Sequence, residues 1–502
     1  MSGFEAVILG VYGVCALGLC VFGAHRWFLT GLFTRTLGQG PRPGPQRTPS
    51  VTVQLPLYNE PHVVERLVEA ACRLDWPDLQ IQILDDSSDA TTQLARAAAA
   101  RFPEVDVEVI RRPSRMGFKA GALAHGLERA RGEFIAVFDA DFVPAPDFLR
   151  RVVPHFREGI GMVQARWGHL NGDDSLLTRL QAILLDGHFV VEHTARHRSG
   201  RWFNFNGTAG IWRRQAIEDA GGWDHDTLTE DLDLSYRAQL AGWAFLYVPE
   251  VVVPAELPPT MLAFKSQQHR WAKGSIQTLK KLASHLWRAE APWPVRLEAL
   301  VHLSNNLAYP LVVSLALLTP LAVWIRARHI QSWLSFDLLV FALATVGVGL
   351  FYTASQWAVH ADWRVRVRLL PAVLALGIGL AVNQTRAVGE ALFGHTSPFV
   401  RTPKAGARGA IHLPGSAWSV VELALGLLHV VAAGWAVSRG YWASVPLELL
   451  LASGFLYVGA WGSLRKGSPT TSEAEVAAGS SVASIPQATS SGTASQPVTS
   501  SR

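Results

Sequence analysis

Four apolar runs in the second half of the chain, Leu300–Ile325, Leu334–Gln356, Val420–Val437 and Tyr441–Trp461, each approach spanning length, the roughly 20 residues that a bilayer demands of a helix. A fifth run extends from Phe4 to Phe22. A hydrophobic fraction of 49% with 18 Trp agrees that this is no ordinary soluble protein. The basic set His25, Arg26, Arg35, Arg42 and Arg47 follows the first run and puts that side in the cytosol. No charge precedes the run and no clear cleavage site follows it, so it reads as an anchor rather than a removed signal peptide. Residues 366–393 begin as LLPAVLALGIGLAV and turn polar in NQTRAVGEALFG, which reads as a helix lying in the interface. Five spans then place Arg364, Arg366, Arg368 and the Arg465-Lys466 pair inside, while Arg326 and Arg328 fall outside, against the rule.

Residues 48–285 have a different texture. The runs SVTVQLPLYNE, IQILDDSSD, VEVIRRPSRMG and EFIAVFDADF alternate with helical spacers such as HVVERLVEAACRL and TTQLARAAAARF. That alternation predicts an α/β domain with a mostly parallel sheet, and ligands in such sheets sit beyond the carboxyl ends of the strands. Tyr58, Asn59 and Glu60, then Asp85 and Asp86, then Asp139 and Asp141, are thereby expected in one crevice. A formal charge of +5 suits an anionic membrane surface or a phosphorylated substrate, while the acidic clusters argue against nucleic acid. The three cysteines offer neither a disulfide framework nor a zinc spacing. From Gly467 the chain is Ser, Thr, Ala and Gly with scattered Pro, a composition too poor in apolar residues to build a core, and residues 466–502 read as a disordered tail.

Asp139-Ala140-Asp141 closes an apolar strand and could hold Mg²⁺ or Mn²⁺ through carboxylate oxygens, or simply form a turn. Asp85-Asp86 could face a nucleotide or cap the following helix. Lys119, between Gly117 and Gly121, could bring a cation to a diphosphate or lie in a solvated loop. Asp231 in TLTED is placed to deprotonate an attacking hydroxyl; the other reading is a helix cap. In QQHRW, Gln267, Arg270 and Trp271 share a helix face. Arg270 suits a diphosphate and Trp271 a sugar ring, though the same residues also suit an interfacial anchor.

QILDDS, FDADF, TED and QQHRW, in this order, resemble the signature of processive family 2 glycosyltransferases with a GT-A domain. LPLYNE, NFNGTAGIWRR, TEDLDLSYRAQLAGWAFLY, ELPPTMLAFKSQQHRW and FVRTPK are similar to the mannan- and glucan-synthase branch of cellulose-synthase-like proteins and their bacterial relatives. The resemblance covers roughly residues 48–405.

It implies an α/β GT-A fold with a Rossmann-like mixed sheet, embedded in a helical membrane protein of the bacterial inner membrane or a Golgi-like membrane, with the catalytic domain cytosolic. The organisation would be 1–47, one membrane helix and a basic linker; 48–285, the glycosyltransferase domain; 286–465, four membrane helices, the interfacial helix 366–393 and a gating-like loop 394–410; and the tail. The activity implied is inverting, Mg²⁺- or Mn²⁺-dependent transfer of a hexose from GDP-mannose or UDP-glucose to a growing β-linked mannan, glucomannan or glucan, extruded through the bilayer. The alternative is addition of one sugar to a membrane lipid.

The implied roles are Tyr58, Glu60, Asp85, Asp86, Lys119, Asp139, Gln267 and Arg270 on the nucleotide sugar, Asp141 on the metal, and Asp231 as base. Asn206, Glu230 and Trp271 would meet the acceptor, and Phe399, Thr402 and Lys404 would form the gating loop. Arg401 departs from the family's usual Val in that loop.

Overall fold

The computed structural model describes residues 1–45, 47–329, 339–395 and 417–463. Phe399, Thr402 and Lys404, the tail, and part of the run Leu334–Gln356 lie outside the described residues.

Seven strands form one sheet in the order β3-β2-β1-β4-β6-β5-β7. They are β1 (Val51–Leu57), β2 (Leu79–Asp85), β3 (Asp106–Ile110), β4 (Phe134–Val137), β5 (Ile160–His169), β6 (Gly210–Arg213) and β7 (Ala244–Ala255). The first four are the expected apolar runs, and they pair in parallel. β6 is antiparallel to both β4 and β5, so the sheet is mixed. This reversal positions the site: Gly210 pairs with Val137, so the segment entering β6 lies at the edge where β1, β2 and β4 end. β5 pairs in parallel with β7, and its last residue, His169, is matched with Ala255. Strand ends, a strand start and their loops thus meet along one edge.

Both faces of the sheet are covered. Val51, Val53 and Leu55 alternate into one core with Phe138, Phe148 and Val163, as a strand period of two requires. On the other face Trp212, Phe205, Phe245 and Tyr247 pack together. Thr52, Gln54, Gln80 and Gln82 on β1 and β2 are also buried and bond across the strands: Thr52 Oγ1 donates to Gln80 Oε1 at 2.8 Å and Gln54 Nε2 to Gln82 Oε1 at 3.0 Å, while Gln54 Oε1 and Gln82 Nε2 make no hydrogen bond among the described residues. Buried polar groups paired in this way avoid the desolvation penalty that unpaired ones incur.

Among the described residues five helices are long and apolar enough to cross a membrane: Gly3–Arg35, Trp293–Arg328, Trp363–Leu392, Trp418–Ser438 and Val445–Ser463. The chain is a multi-pass membrane protein with the sheet domain on the cytosolic side. The stretch 366–393, expected at the interface, falls within the third of these. Its second half, Ala381–Leu392, packs on the amphipathic helix Met261–Arg288 that leaves the sheet domain. Helices 370–379 and 445–463 cross so closely that a Cβ on Gly379 would stand 2.2 Å from the Gly454 carbonyl oxygen.

Charges join the two parts. Lys265 Nζ bonds both oxygens of buried Glu422 at 2.7 Å. His269 and Lys273, at spacings of four along the same helix, meet Glu390 at 3.1 and 3.0 Å. Arg196 bridges Glu192 at 3.1 Å and Glu298 at 3.0 Å, and Arg26 of the first membrane helix pairs with Glu192. Such pairs are costly to break singly, at about 3–5 kcal/mol, because the remaining charge is stranded.

Candidate active site

Tyr58 to Glu60 leave β1 in a turn that requires Asn59 at φ 53°. The Asn59 N–H donates to Ser87 Oγ, and its Oδ1 accepts from the Ser88 N–H, both at 2.9 Å. The first two motif loops are thereby stitched together. Asp86 takes a two-pronged bond from Arg112 at 3.1 and 2.5 Å, and the Arg115 guanidinium lies 3.2 Å above the Tyr58 ring. At the end of β4, the Asp139 N–H donates to Thr208 Oγ1 at 2.9 Å, tying the Asp139-Ala140-Asp141 turn to the segment before β6. Lys119 Nζ then joins Asp139 Oδ1 at 2.5 Å and the Gly207 carbonyl at 2.8 Å.

Glu230 and Asp231 open the helix Glu230–Leu240. Thr229 occupies its N-cap position without a side-chain capping bond, while Asp231 Oδ1 accepts from the Leu232 N–H at 2.8 Å, so the acidic pair also serves the start of the helix. Gly207 has φ +80°, and a Cβ there would stand 3.0 Å from Asp231 Oδ2 and 3.3 Å from Lys119 Nζ. Only glycine allows the chain to pass this close to the carboxylate. The helix carrying Gln267, Arg270 and Trp271 approaches through Gly274, which lies against Thr229.

A cavity of about 210 Å³ lies at this edge. It is lined by Tyr58, Glu60, Asp86, Lys119, Asp139, Asp141, Asn206, Glu230, Asp231, Gln267, Arg270 and Trp271. Of the crevice residues expected among the described ones, two are absent: Asn59, whose side chain is taken up by the Ser88 N–H, and Asp85. The latter is buried, accepts from the Ser87 N–H at 2.9 Å and from the Thr92 hydroxyl, and holds its own loop together instead of facing the cavity. Sequence reasoning missed Arg112, Arg115, Trp167 and His169. The last two alternate on β5 in RWGH, a signal visible only once that run is recognised as a strand. A second cavity of about 290 Å³ shares Trp167, Asn206, Thr229, Asp231, Gln267 and Trp271 with the first and continues to Tyr309, Phe351, Tyr352 and Gln384 among the membrane helices. Trp167 and Trp271 stand at the junction, ring centroids 6.4 Å apart.

The electrostatics follow from burial. Desolvation, reinforced by Glu230 beside it and only partly offset by Lys119, pushes the Asp231 carboxyl up to about 7. Burial also raises Glu230. Burial works against the Lys119 ammonium, but Asp139, Glu230 and Asp231 outweigh it and its pKa is raised. Asp86 is matched by Arg112, and Glu256 by Arg66 at 2.8 Å. Glu60, Asp139, Asp141, Glu230 and Asp231 line the first cavity together with Arg115, Lys119 and Arg270. Five carboxylates against three cations, all with hard oxygen donors, fit a divalent ion such as Mg²⁺ or Mn²⁺. A separate acidic trio, Asp224, Asp226 and Asp233, has ligand-like spacing, but the Lys281 ammonium already sits among the three at 2.9, 2.8 and 3.1 Å.

A mixed sheet with acidic turns at one edge, a half-buried carboxylate opposite fixed cations, and an attached bundle of apolar helices define a membrane-embedded GT-A domain. Residues 49–274 match the family described as Glycosyltransferase like family 2. Similar proteins include glucomannan 4-beta-mannosyltransferase 2 of Arabidopsis thaliana, 45% identical over 255 residues that cover 49% of this chain and 48% of the relative. Another is glucomannan 4-beta-mannosyltransferase 1 of Oryza sativa subsp. japonica, 42% identical over 258 residues covering 49% and 50% respectively. The chain spans about half the length of the curated relatives it matches. The fold is shared with the mannosyltransferase PcManGT from Pyrobaculum calidifontis, solved in complex with GDP-Man and Mn²⁺: TM-score 0.53, 21% identity, covering 77% of this chain and 100% of that one.

Proposed function

We propose that the protein transfers mannose, with inversion, from GDP-mannose to the end of a β-1,4-linked mannan or glucomannan, and feeds the product toward the membrane. The observation that carries this reading is Asp231: its half-buried carboxylate faces both cavities, one ringed by diphosphate-binding chemistry and the other running on among membrane helices. A carboxyl held near pH 7 is matched to removing a hydroxyl proton at neutral pH.

On this reading Tyr58, Glu60 and Asp86 hold the nucleotide, and Lys119, Asp139, Gln267 and Arg270 hold the diphosphate, with Arg270 able to bind it in two prongs. The leaving diphosphate then departs as an anion already compensated, so no acid is needed. Asp141, with Asp139 beside it, would hold Mg²⁺ or Mn²⁺, which supplies further charge neutralisation at the diphosphate. Trp271 offers its face to the terminal sugar, while Glu230 and Asn206 contact its hydroxyls. A single displacement opposite the leaving group turns an α-linked donor into a β linkage. Mannose rather than glucose is favoured by the relatives, whose names specify mannosyl transfer. We read the stretch 366–393 as lying at the cytosolic interface; the contacts of its second half, Ala381–Leu392, with the helix that carries Gln267, Arg270 and Trp271 support this.

The test is product analysis with purified protein in lipid vesicles, given Mg²⁺ or Mn²⁺ and either GDP-mannose or UDP-glucose, with Asp231→Asn alongside. A long β-linked mannan absent from the variant is expected. A glucose polymer would change the donor, and a single sugar on lipid would remove chain extension from the reading.

A further inference from the structure

Asn206 is common to both cavities, and its side chain is not free to turn. The His193 Nε2 lies 3.1 Å from the backbone carbonyl of Asn204, an atom that can only accept, so this nitrogen carries the proton. The same Nε2–H points at the Asn206 amide from 2.7 Å, which makes the facing atom Oδ1. Asn206 Nδ2 must then be the atom 2.9 Å from His188 Nε2, and it donates there to a lone pair. His188 consequently carries its proton on Nδ1, which faces Glu192 Oε2 at 3.1 Å. Glu192 is anchored in turn by Arg196 and Arg26. Every junction agrees with one direction of donation, from His193 through Asn206 and His188 to Glu192. The backbone is held as well, because the Asn206 N–H donates to Gln164 Oε1 at 3.0 Å.

This chain requires the His188 imidazole to be neutral, with a lone pair on Nε2. A second proton on His188 would set an N–H against the Asn206 amide N–H. Burial first, and then the neighbouring His193, Arg196 and Arg26, hold His188 well below the ordinary histidine range. An amide has two N–H groups and two carbonyl lone pairs, and the two imidazoles use one of each. One donor and one acceptor remain, at fixed places beside Gly207 and Asp231.

We propose that His188 and His193 are positioning residues that lock the Asn206 amide, so that it presents one N–H and one carbonyl lone pair to hydroxyls of the acceptor sugar. The inference rests on the reading of these cavities as an acceptor site. It assigns the two histidines a role in acceptor affinity and none in donor binding. Neither histidine carries a motif signature.

The test uses the full chain in lipid nanodiscs with β-1,4-linked mannohexaose as acceptor. In His188→Phe the lone pair is lost while a ring of similar size is kept; His188→Gln can offer an amide oxygen in its place. The phenylalanine variant should raise the acceptor KM about tenfold, the factor that the loss of one buried hydrogen bond produces. The KM for GDP-mannose and the slow hydrolysis of GDP-mannose without acceptor should stay within about twofold, and the glutamine variant should recover most of the loss. An unchanged acceptor KM, an equal rise in both KM values, or failure of glutamine to rescue would overturn the proposal.

Should His188→Phe not fold, the pair His193→Phe and His193→Gln decides by the same criteria, glutamine supplying the N–H. If the wild-type chain transfers no mannose, the functional reading fails separately, and mannohexaose binding followed by tryptophan fluorescence takes over. Binding weakened about tenfold by phenylalanine and restored by glutamine supports the locked amide; no binding by the wild type, or equal binding by all variants, overturns it.

Discussion

The proposed donor and acceptor sides of this site are built by different means. On the donor side, each contributing loop is a short turn at the end of a parallel strand: Tyr58 to Glu60 after β1, Asp86 after β2, Asp139 to Asp141 after β4. Each loop carries its own chemistry, and neighbouring loops pin each other, as Asn59 does to Ser87 and Ser88. The acceptor side has no such local unit. Asn206 precedes an antiparallel strand, Asp231 opens one helix, Trp271 sits in another, and His188 and His193 belong to a π-helical segment. These come together only because β6 runs backwards and Gly207 and Gly274 let neighbouring segments approach. Donor recognition is thus modular along the chain, whereas acceptor recognition depends on tertiary packing.

That contrast can be broken or sharpened by experiment. The largest effect is expected from Asp231→Asn, which should lower transfer by about 10²–10⁴-fold, the range for a general base, with donor affinity preserved. Radiolabel transfer combined with GDP-mannose binding would check it. The same carboxyl sets the pH profile. It must be ionised to act, and burial holds it at about 7, so kcat/KM should climb about tenfold per unit below pH 7 and level off above. Stability runs the other way. A carboxyl whose pKa is raised on folding binds its proton more tightly in the native state, so its contribution is present at low pH and is lost as pH rises through about 7. Asp231→Asn should therefore melt above wild type at pH 8 and together with it below about pH 4, by thermal unfolding in detergent.

Gly207→Ala should come next. The backbone strain costs about 1–3 kcal/mol, and the added methyl group meets Asp231. Transfer should fall by on the order of tenfold or more, with acceptor and turnover both affected. Asp86→Asn tests the donor side alone: loss of its charged bond to Arg112 should raise the donor KM about tenfold and leave the acceptor KM in place. A shift in both would show that the two sides are not separable. The smallest effect is expected from Trp167→Phe at the junction with Trp271, about two- to tenfold in acceptor KM, the scale of one aromatic pair.

The same contrast explains how much could be read from the sequence. β1 to β4 and their acidic turns are legible because apolar runs ending in Asp or Asn are local patterns, and the donor residues follow from them directly. Asp85 is the exception. Beside Asp86 in sequence, it points the other way because successive residues at a strand end face opposite sides, and Ser87 and Thr92 claim it. β5 to β7 were not anticipated, so Trp167 and His169 stayed hidden. The positioning histidines lie in HFVVEH, a stretch that reads as an apolar helix, and their partners are distant or on another element. The identity of the helix bearing Gln267, Arg270 and Trp271 was plain from QQHRW; its attachment to Glu390 and Glu422, more than a hundred residues onward, was not.

That attachment matters for anyone hoping to work with a soluble fragment. The 28-residue helix Met261–Arg288 turns Gln267, Arg270 and Trp271 toward the substrate cavities and Lys265, His269 and Lys273 toward Glu422 and Glu390. Cutting the polypeptide after Arg288 would strip away those partners and leave Lys265, His269 and Lys273, formerly sheltered, in water. The fragment could keep its seven strands and still bind nucleotide sugar, because the donor loops depend on one another. It would have no fixed rail along which to set Arg270 and Trp271, and the wall formed by Tyr309, Tyr352 and Gln384 would be gone. On the proposed function, solubilisation by truncation would yield a nucleotide-sugar binder rather than a polymer-making enzyme, and measurements of chain growth call for the membrane helices to be kept.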